Sequence, residues 1–193
     1  MKVAVLIDGG YTRVLSRKAG FQYNPDFIEK LALASIVQGE RLFRALYYDC
    51  SPYNGEVKKP VSGEKQTFTA SGRWLDELAK RDLFAVRRGI LKFRGFKPKM
   101  IPITGAALAD QDFAPDFEQK GVDMRLGLDM ANFAHTQTVE RLILFSNDTD
   151  CVPAMKYARI RGQQIVAIKL PGNTIASEIE AHADFIREID WPA

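Results

Sequence analysis

At 193 residues, 46% hydrophobic and 26% charged, the chain is long enough to bury a sizeable core and too apolar to be a disordered segment. A net charge of +3 permits a polyanionic partner without the bias of a dedicated nucleic-acid coat, and two distant cysteines, Cys50 and Cys151, build no disulfide framework. The apolar run at 3–7 is too short for a secretory leader and no run spans a bilayer, so one cytoplasmic domain over 1–193, without membrane contact, is expected.

KVAVLI (2–7) is a continuous aliphatic run, the pattern of a strand buried on both faces, and Asp8-Gly9-Gly10 ends it in a tight turn. Asn24-Pro25 reads as a helix cap with proline in the first turn; Phe27, Ile28 and Leu31 recur at helical spacing, and the helix closes near Gly39. RLFRALYYD (41–49) is a second strand, followed by an exposed loop over 51–62 marked by Pro52, Gly55 and Pro60. Trp74, Leu75 and Leu78 mark the end of a second helix. LFAVRRGILKF (83–93) is a third strand able to bend at Gly89, with FRGFKPK (93–99) a basic loop or hairpin. Residues 102–115 lack a period and are read as irregular.

From Gly121 the helical period returns, with Val122, Leu126, Met130 and Phe133 on one stripe. VERLILF (139–145) is a buried strand, CVPAMKYARIRG (151–162) a helix closed by Gly162, and QQIVAIKL (163–170) another strand. A helix from Asn173 to about Ala183 and the apolar run FIREI (185–189) complete the chain. Strands alternating with helices predict an α/β fold: a mostly parallel central sheet flanked by helices on both faces, a three-layer sandwich.

In such folds ligands sit beyond the carboxyl ends of the strands. Asp8 follows the first strand, and Asp148 and Asp150 follow the strand at 139–145, so these carboxylates should share one edge. Asp123, in the first turn of its helix, borders the apolar stripe and should point toward the protein. Asp129 lies near the other margin, two turns deeper, and is a lesser candidate. Two carboxylates about 5 Å apart repel by roughly 3 kcal/mol at an effective dielectric near 20, so a cluster of them requires compensation. A set without histidine or cysteine suits the hard ions Mg²⁺ or Mn²⁺, which position water against a phosphodiester. Singly, each aspartate has a plainer role: Asp8 as a turn residue, Asp148 or Asp150 as a helix cap, Asp123 beside a helix dipole.

Arg87, Arg88, Lys92, Arg94, Lys97 and Lys99 fall close together around Phe93 and Phe96, a pattern compatible with phosphate contacts and base stacking and equally with a solvated strand face. His135 and His182 have no ligand-like partners in sequence. No phosphate-binding P-loop, dinucleotide-binding Gly-x-Gly-x-x-Gly or Gly-x-Ser-x-Gly nucleophile elbow occurs.

The segments VLIDGGY (5–11), VRRGIL (86–91), KGVDMRLGLDM (120–130) and LFSNDTDCVPAMKYARIRGQQIVAI (144–168) together resemble the NYN domain group of PIN-like metal-dependent ribonucleases, and within it the LabA-like bacterial proteins. The resemblance spans nearly the whole chain. It implies a PIN-like fold whose acidic pocket, here Asp8, Asp123, Asp148 and Asp150, holds one or two divalent metals and hydrolyses RNA. Asn147 stands where the family commonly has glycine, and its side chain is expected to alter the turn or add a polar contact.

A metal-dependent ribonuclease is therefore the leading expectation, with Arg87, Arg88, Lys92 and Arg94 as candidate RNA contacts and a homo-oligomer left open. The rival from another class is a non-catalytic regulator that binds RNA or protein on the same fold. DTDCV (148–152) also resembles the nucleophile motif of haloacid-dehalogenase-like phosphatases, but only residues 153–193 follow it, whereas that family places the motif near the chain start.

Overall fold

A computed structural model describes residues 1–103 and 107–192. In chain order it builds β1 (Lys2–Asp8), α1 (Gly9–Lys18), α2 (Pro25–Ala34), β2 (Arg41–Cys50), β3 (Gly55–Lys58), β4 (Lys65–Phe68), α3 (Arg73–Ala79), β5 (Phe84–Pro98), β6 (Phe113–Lys120), α4 (Val122–Thr136), β7 (Arg141–Phe145), α5 (Val152–Ile160), β8 (Gln164–Lys169), α6 (Ser177–His182) and β9 (Phe185–Glu188). Seven strands form one sheet in the order β6-β5-β2-β1-β7-β8-β9, and β3 with β4 makes a separate hairpin. Every pairing in the large sheet is parallel except β5 with β6. This is the mostly parallel α/β architecture that the strand and helix alternation predicts.

β1 lies at the centre because both its faces are apolar. Val3, Val5 and Ile7 pack on one side against Ile28 and Leu31 of α2 and Leu75 and Leu78 of α3. Ala4 and Leu6 pack on the other against Leu126 and Met130 of α4, Met155 of α5 and Ile179 of α6. All five strand residues are fully buried; burying a Val, Leu or Ile side chain contributes about 1.5–3 kcal/mol. The α4 stripe buries Val122, Leu126, Met130 and Phe133 as its period requires. Among the described residues no helix is long and apolar enough to cross a membrane.

Several local expectations change. Gly9 and Gly10 open the ten-residue helix α1 instead of forming a bare turn; GGYTRVLSRK is too polar for an apolar period to mark it. The stretch at 51–62 contains β3, which pairs with β4. Trp74, Leu75 and Leu78 are not the tail of a longer helix but belong to the seven-residue α3. The basic segment after Gly89 continues β5, a strand of fifteen residues, because β6 supplies an antiparallel partner from Lys120 to Phe113. That partner comes from the end of the stretch read as irregular, of which 104–106 lie outside the described residues. The final helix is shortened to six residues, and FIRE joins β8 as the edge strand β9.

The opposite edge of the sheet is tied by one carboxylate. Glu40 receives Arg141 of β7 and both guanidinium nitrogens of Arg187 of β9, plus the backbone N–H of Val37 at 3.0 Å. Its side chain is 3% exposed. Burial pushes the carboxyl up, but hydrogen bonds from Arg187, Val37 and Arg141 prevail and hold it down to about 2. A depressed carboxyl stabilises the fold above its ordinary value of 4.5 and loses that contribution as pH falls toward 2. We expect Glu40→Gln to lower stability by about 2–3 kcal/mol at pH 7, with the deficit shrinking as urea unfolding is repeated toward pH 2; a deficit independent of pH would show that charge is not what this residue supplies.

Candidate active site

The sheet brings the candidate acids together from distant segments. β1 pairs in parallel with β7 up to Ile7 and Phe145, so Asp8 and the 146–150 segment leave adjacent strands on the same edge. Asp8 is the N-cap of α1: Oδ1 accepts the Tyr11 N–H at 3.1 Å, and its backbone carbonyl accepts the Thr12 hydroxyl at 2.8 Å. Gly9 is required by close approach, since a Cβ there would stand 2.8 Å from the Tyr48 carbonyl and overlap the Tyr47 ring. Asp148 caps a 3-10 turn, Thr149–Cys151, with Oδ1 accepting the Asp150 N–H at 2.9 Å. The plainer roles of Asp8 and Asp148 are thus real: each offers a carboxylate oxygen to a backbone N–H.

Asp123 reaches this edge from the first turn of α4. The start of that helix is pressed onto β5 at Gly89, where a Cβ would come within 2.8 Å of the Lys120 carbonyl and of Val122 Cγ2. Contrary to the helical-wheel expectation Asp123 is exposed, at the rim, and not turned into the protein. Its carboxyl is nevertheless pushed up, by partial burial first and then by the charges of Asp148 and Asp150. Asp8 is pushed up to about 6, chiefly by burial, with Asp123 and Asp49 adding repulsion against the hydrogen bonds from Tyr11 and Gly10. The same field acts on the Cys151 thiol, pushed up to about 12 by burial and by Asp148, Asp8 and Asp123. The four acids therefore share one electrostatic neighbourhood. Among the described residues no three His, Cys, Asp or Glu side chains are gathered closely enough to hold a metal ion as they stand. Their chemistry, all carboxylate oxygen with Asp123 and Asp150 exposed, fits a hard divalent cation and no soft one.

Asn147 adds contacts rather than only bending the turn. Its Nδ2 donates to the Thr174 carbonyl at 3.1 Å and its Oδ1 accepts the Ala176 N–H at 2.7 Å, so the loop after β8 is bound to the 146–150 segment. From that loop Asn173 donates to the Tyr11 hydroxyl at 2.7 Å, joining it to the helix that Asp8 caps.

Asp129 takes no part in the acid group. Its carboxylate accepts Arg87 Nε at 2.8 Å and the Tyr48 hydroxyl at 3.0 Å. Arg88 is paired with Asp76, Arg94 with Glu118 and Lys97 with Asp116, whereas Lys92 is exposed and makes no ion pair among the described residues. Phe93 and Phe96 lie within an aromatic cluster with Tyr53, Phe68 and Phe117, which seats the β3–β4 hairpin against β5 and β6. One strand-end acid escaped the sequence reading. Asp49, at the end of β2, is 1% exposed and accepts the Arg13 guanidinium, the Tyr47 hydroxyl at 3.1 Å and the Cys50 N–H at 2.8 Å. The rule that singled out Asp8 and Asp148 applies to it equally; its neutraliser, Arg13, lies on the helix that periodicity did not reveal.

A family model described as NYN domain matches residues 2–190, essentially the whole chain. The chain belongs to the NYN domain family. That family lies within the PIN-like nuclease superfamily, and membership suggests a nuclease-type function. The NYN fold is seen again in the crystal structure of VPA0982, a protein of unknown function from Vibrio parahaemolyticus, which matches at a TM-score of 0.57 and 18% identity over 98% of this chain and 93% of that one. No curated protein matches this NYN chain significantly.

The raised Asp8 carboxyl has a sign that can be measured. A carboxyl raised on folding binds its proton more tightly in the folded state, so its ionisation costs stability that is absent below its ordinary 3.8 and complete above about 6. Without divalent ions, we expect Asp8→Asn to be more stable than the parent at pH 8, on the order of 2 kcal/mol, and no more stable at pH 4. Thermal unfolding in EDTA at both pH values checks this; a variant less stable at pH 8 would show that ionised Asp8 does not cost the fold stability.

Proposed function

We propose that this NYN chain is a ribonuclease in which Asp8, Asp123, Asp148 and Asp150 hold Mg²⁺ or Mn²⁺. The observation that carries this reading is the delivery of carboxylates to one sheet edge from the ends of β1 and β7 and the start of α4, where burial first and neighbouring acids second push Asp8 and Asp123 up. Perturbed carboxyls gathered at one place mark a functional-site candidate, and a divalent cation there would favour their charged forms. When bound, the ion would supply a water of lowered pKa and neutralise charge developing on the phosphodiester.

The chain's own groups do the positioning. The Tyr11 N–H holds one Asp8 oxygen, and the Asp150 N–H holds one Asp148 oxygen, so each carboxylate is oriented by backbone before any ligand arrives. Asn147 and Asn173 brace the same edge from the loop after β8. Among the basic residues proposed to meet RNA, Lys92 is without an ion-pair partner in the described structure, while Arg87, Arg88 and Arg94 would have to exchange an acid for a phosphate.

A second reading is favoured by one observation: the acids do not close on a common point. On that reading the chain is a non-catalytic RNA- or protein-binding regulator. Labelled single-stranded RNA incubated with Mn²⁺ separates the two. We expect cleavage abolished by EDTA and reduced at least a hundredfold, about 3 kcal/mol of barrier, in Asp8→Asn and Asp148→Asn, with Asp129→Asn retaining activity if it still folds. Cleavage equal in parent and both site variants would refute the assignment, and absent metal binding by calorimetry would favour the regulator.

A further inference from the structure

Asp49 lines a cavity of about 430 Å³. Its walls come from α1 (Arg13 and Arg17), from Asn24 at the head of α2, from Trp74 of α3, and from Leu91 and Gln119 of β5 and β6. Cavities of about 300–1,000 Å³ with an apolar wall and a few placed polar groups are the size and character of small-ligand sites. This one adjoins the acids through Gln119. The amide of Gln119 stands 3.5 Å from Asp49 Oδ1, and a Cβ built on Gly10 would be 3.5 Å from Gln119 Oε1 and 3.3 Å from Asp8 Oδ1.

We infer that this cavity binds one nucleotide of a single-stranded RNA whose neighbouring phosphodiester lies at the acids, a reading that rests on RNA being the substrate. The wall carries two arginines against one aspartate, and their roles differ. Arg13 is committed to Asp49 and fixed by it. Arg17 is exposed and makes no ion pair among the described residues, so its guanidinium is available to a phosphate. Trp74 offers a half-buried indole steadied by edge contacts to Tyr47 and Tyr23 at 5.8 and 6.4 Å between centroids. An aromatic face of this kind accepts any unstacked base. Asn24 spends Oδ1 on the Phe27 N–H at 2.9 Å, which leaves its Nδ2 as a donor without a partner in the described structure. A duplex cannot use the cavity, because its bases are already stacked and paired. The selectivity follows from that: single strands are taken and duplexes are not.

The test reads binding, not turnover. Fluorescence anisotropy of a labelled seven-nucleotide uridine RNA is measured in EDTA with the parent, Arg17→Ala, Trp74→Phe, Trp74→Ala and Asp148→Asn. Arg17 is exposed and unpaired, so its variant should fold as the parent does. We expect Arg17→Ala to weaken binding about tenfold and to flatten the dependence of log Kd on log salt by about 0.7, the contribution of one phosphate on a single strand. Trp74→Phe should keep most of the affinity, Trp74→Ala should lose about tenfold, and Asp148→Asn should bind at least as tightly as the parent. A ten-base-pair RNA duplex should bind more weakly than the single strand. Unchanged affinity and salt slope in Arg17→Ala, or equal affinity for duplex and single strand, would overturn the pocket whether or not the protein cleaves RNA. Arg17-dependent binding without any Mn²⁺-dependent cleavage would instead keep the pocket and remove the nuclease.

Discussion

Parallel strands that deliver acidic residues to one sheet edge are the constraint around which this molecule is arranged. Burial pushes the Asp8 carboxyl up to about 6 with the charges of Asp123 and Asp49 adding to it, and Asp123 is pushed up by partial burial and by the charges of Asp148 and Asp150. A fold tolerates this only if a stiff frame prevents the groups from moving apart. Here the frame is the parallel register of β1 with β7 and the seating of α4 against β5 at Gly89, all backed by fully buried aliphatic side chains. Packing at that density keeps the strand ends and the start of α4, from which the acids project, in fixed register.

The polar groups around the acids have the same logic at shorter range. One oxygen of Asp8 and one of Asp148 are held by backbone N–H groups, which fixes orientation without cancelling charge. Asp49 shows the contrasting solution. Buried more deeply, it is fully answered by Arg13, Tyr47 and the Cys50 N–H. One strand-end acid is thus neutralised from within the protein, whereas Asp8 and Asp148 make no ion pair among the described residues.

What could be read in advance follows from how strongly each element signals itself locally. β1, β2, β7 and β8 are short apolar runs, and α4 carries a clean stripe, so their existence and the acids at their ends were legible. α1 was not, because its sequence is mostly polar and its stability comes from the Asp8 cap and from Tyr11 and Leu15 resting on the core. β5 extends through Lys92, Arg94 and Lys97 because β6 pairs with it and supplies Glu118 and Asp116 opposite those charges. Nothing local distinguishes such a strand from a basic loop. The same pairing explains why Arg94 and Lys97, read as part of an RNA-facing strip, are answered by acids across the ladder, while Arg87 and Arg88 are answered by Asp129 of α4 and Asp76 of α3.

By itself the sequence determined the alternation of strand and helix, the mostly parallel sheet and the candidacy of Asp8, Asp148 and Asp150, since strand ends and apolar periods are local properties of the chain. Only the tertiary structure decided that Asp129 belongs to Arg87 and Tyr48, that Asp49 joins the edge already neutralised, and that Arg17, Trp74 and Gln119 wall one cavity beside the acids. The physical reason is that charge pairing and enclosure depend on distance through space, which is set by strand order and helix packing and leaves no mark on neighbours along the chain.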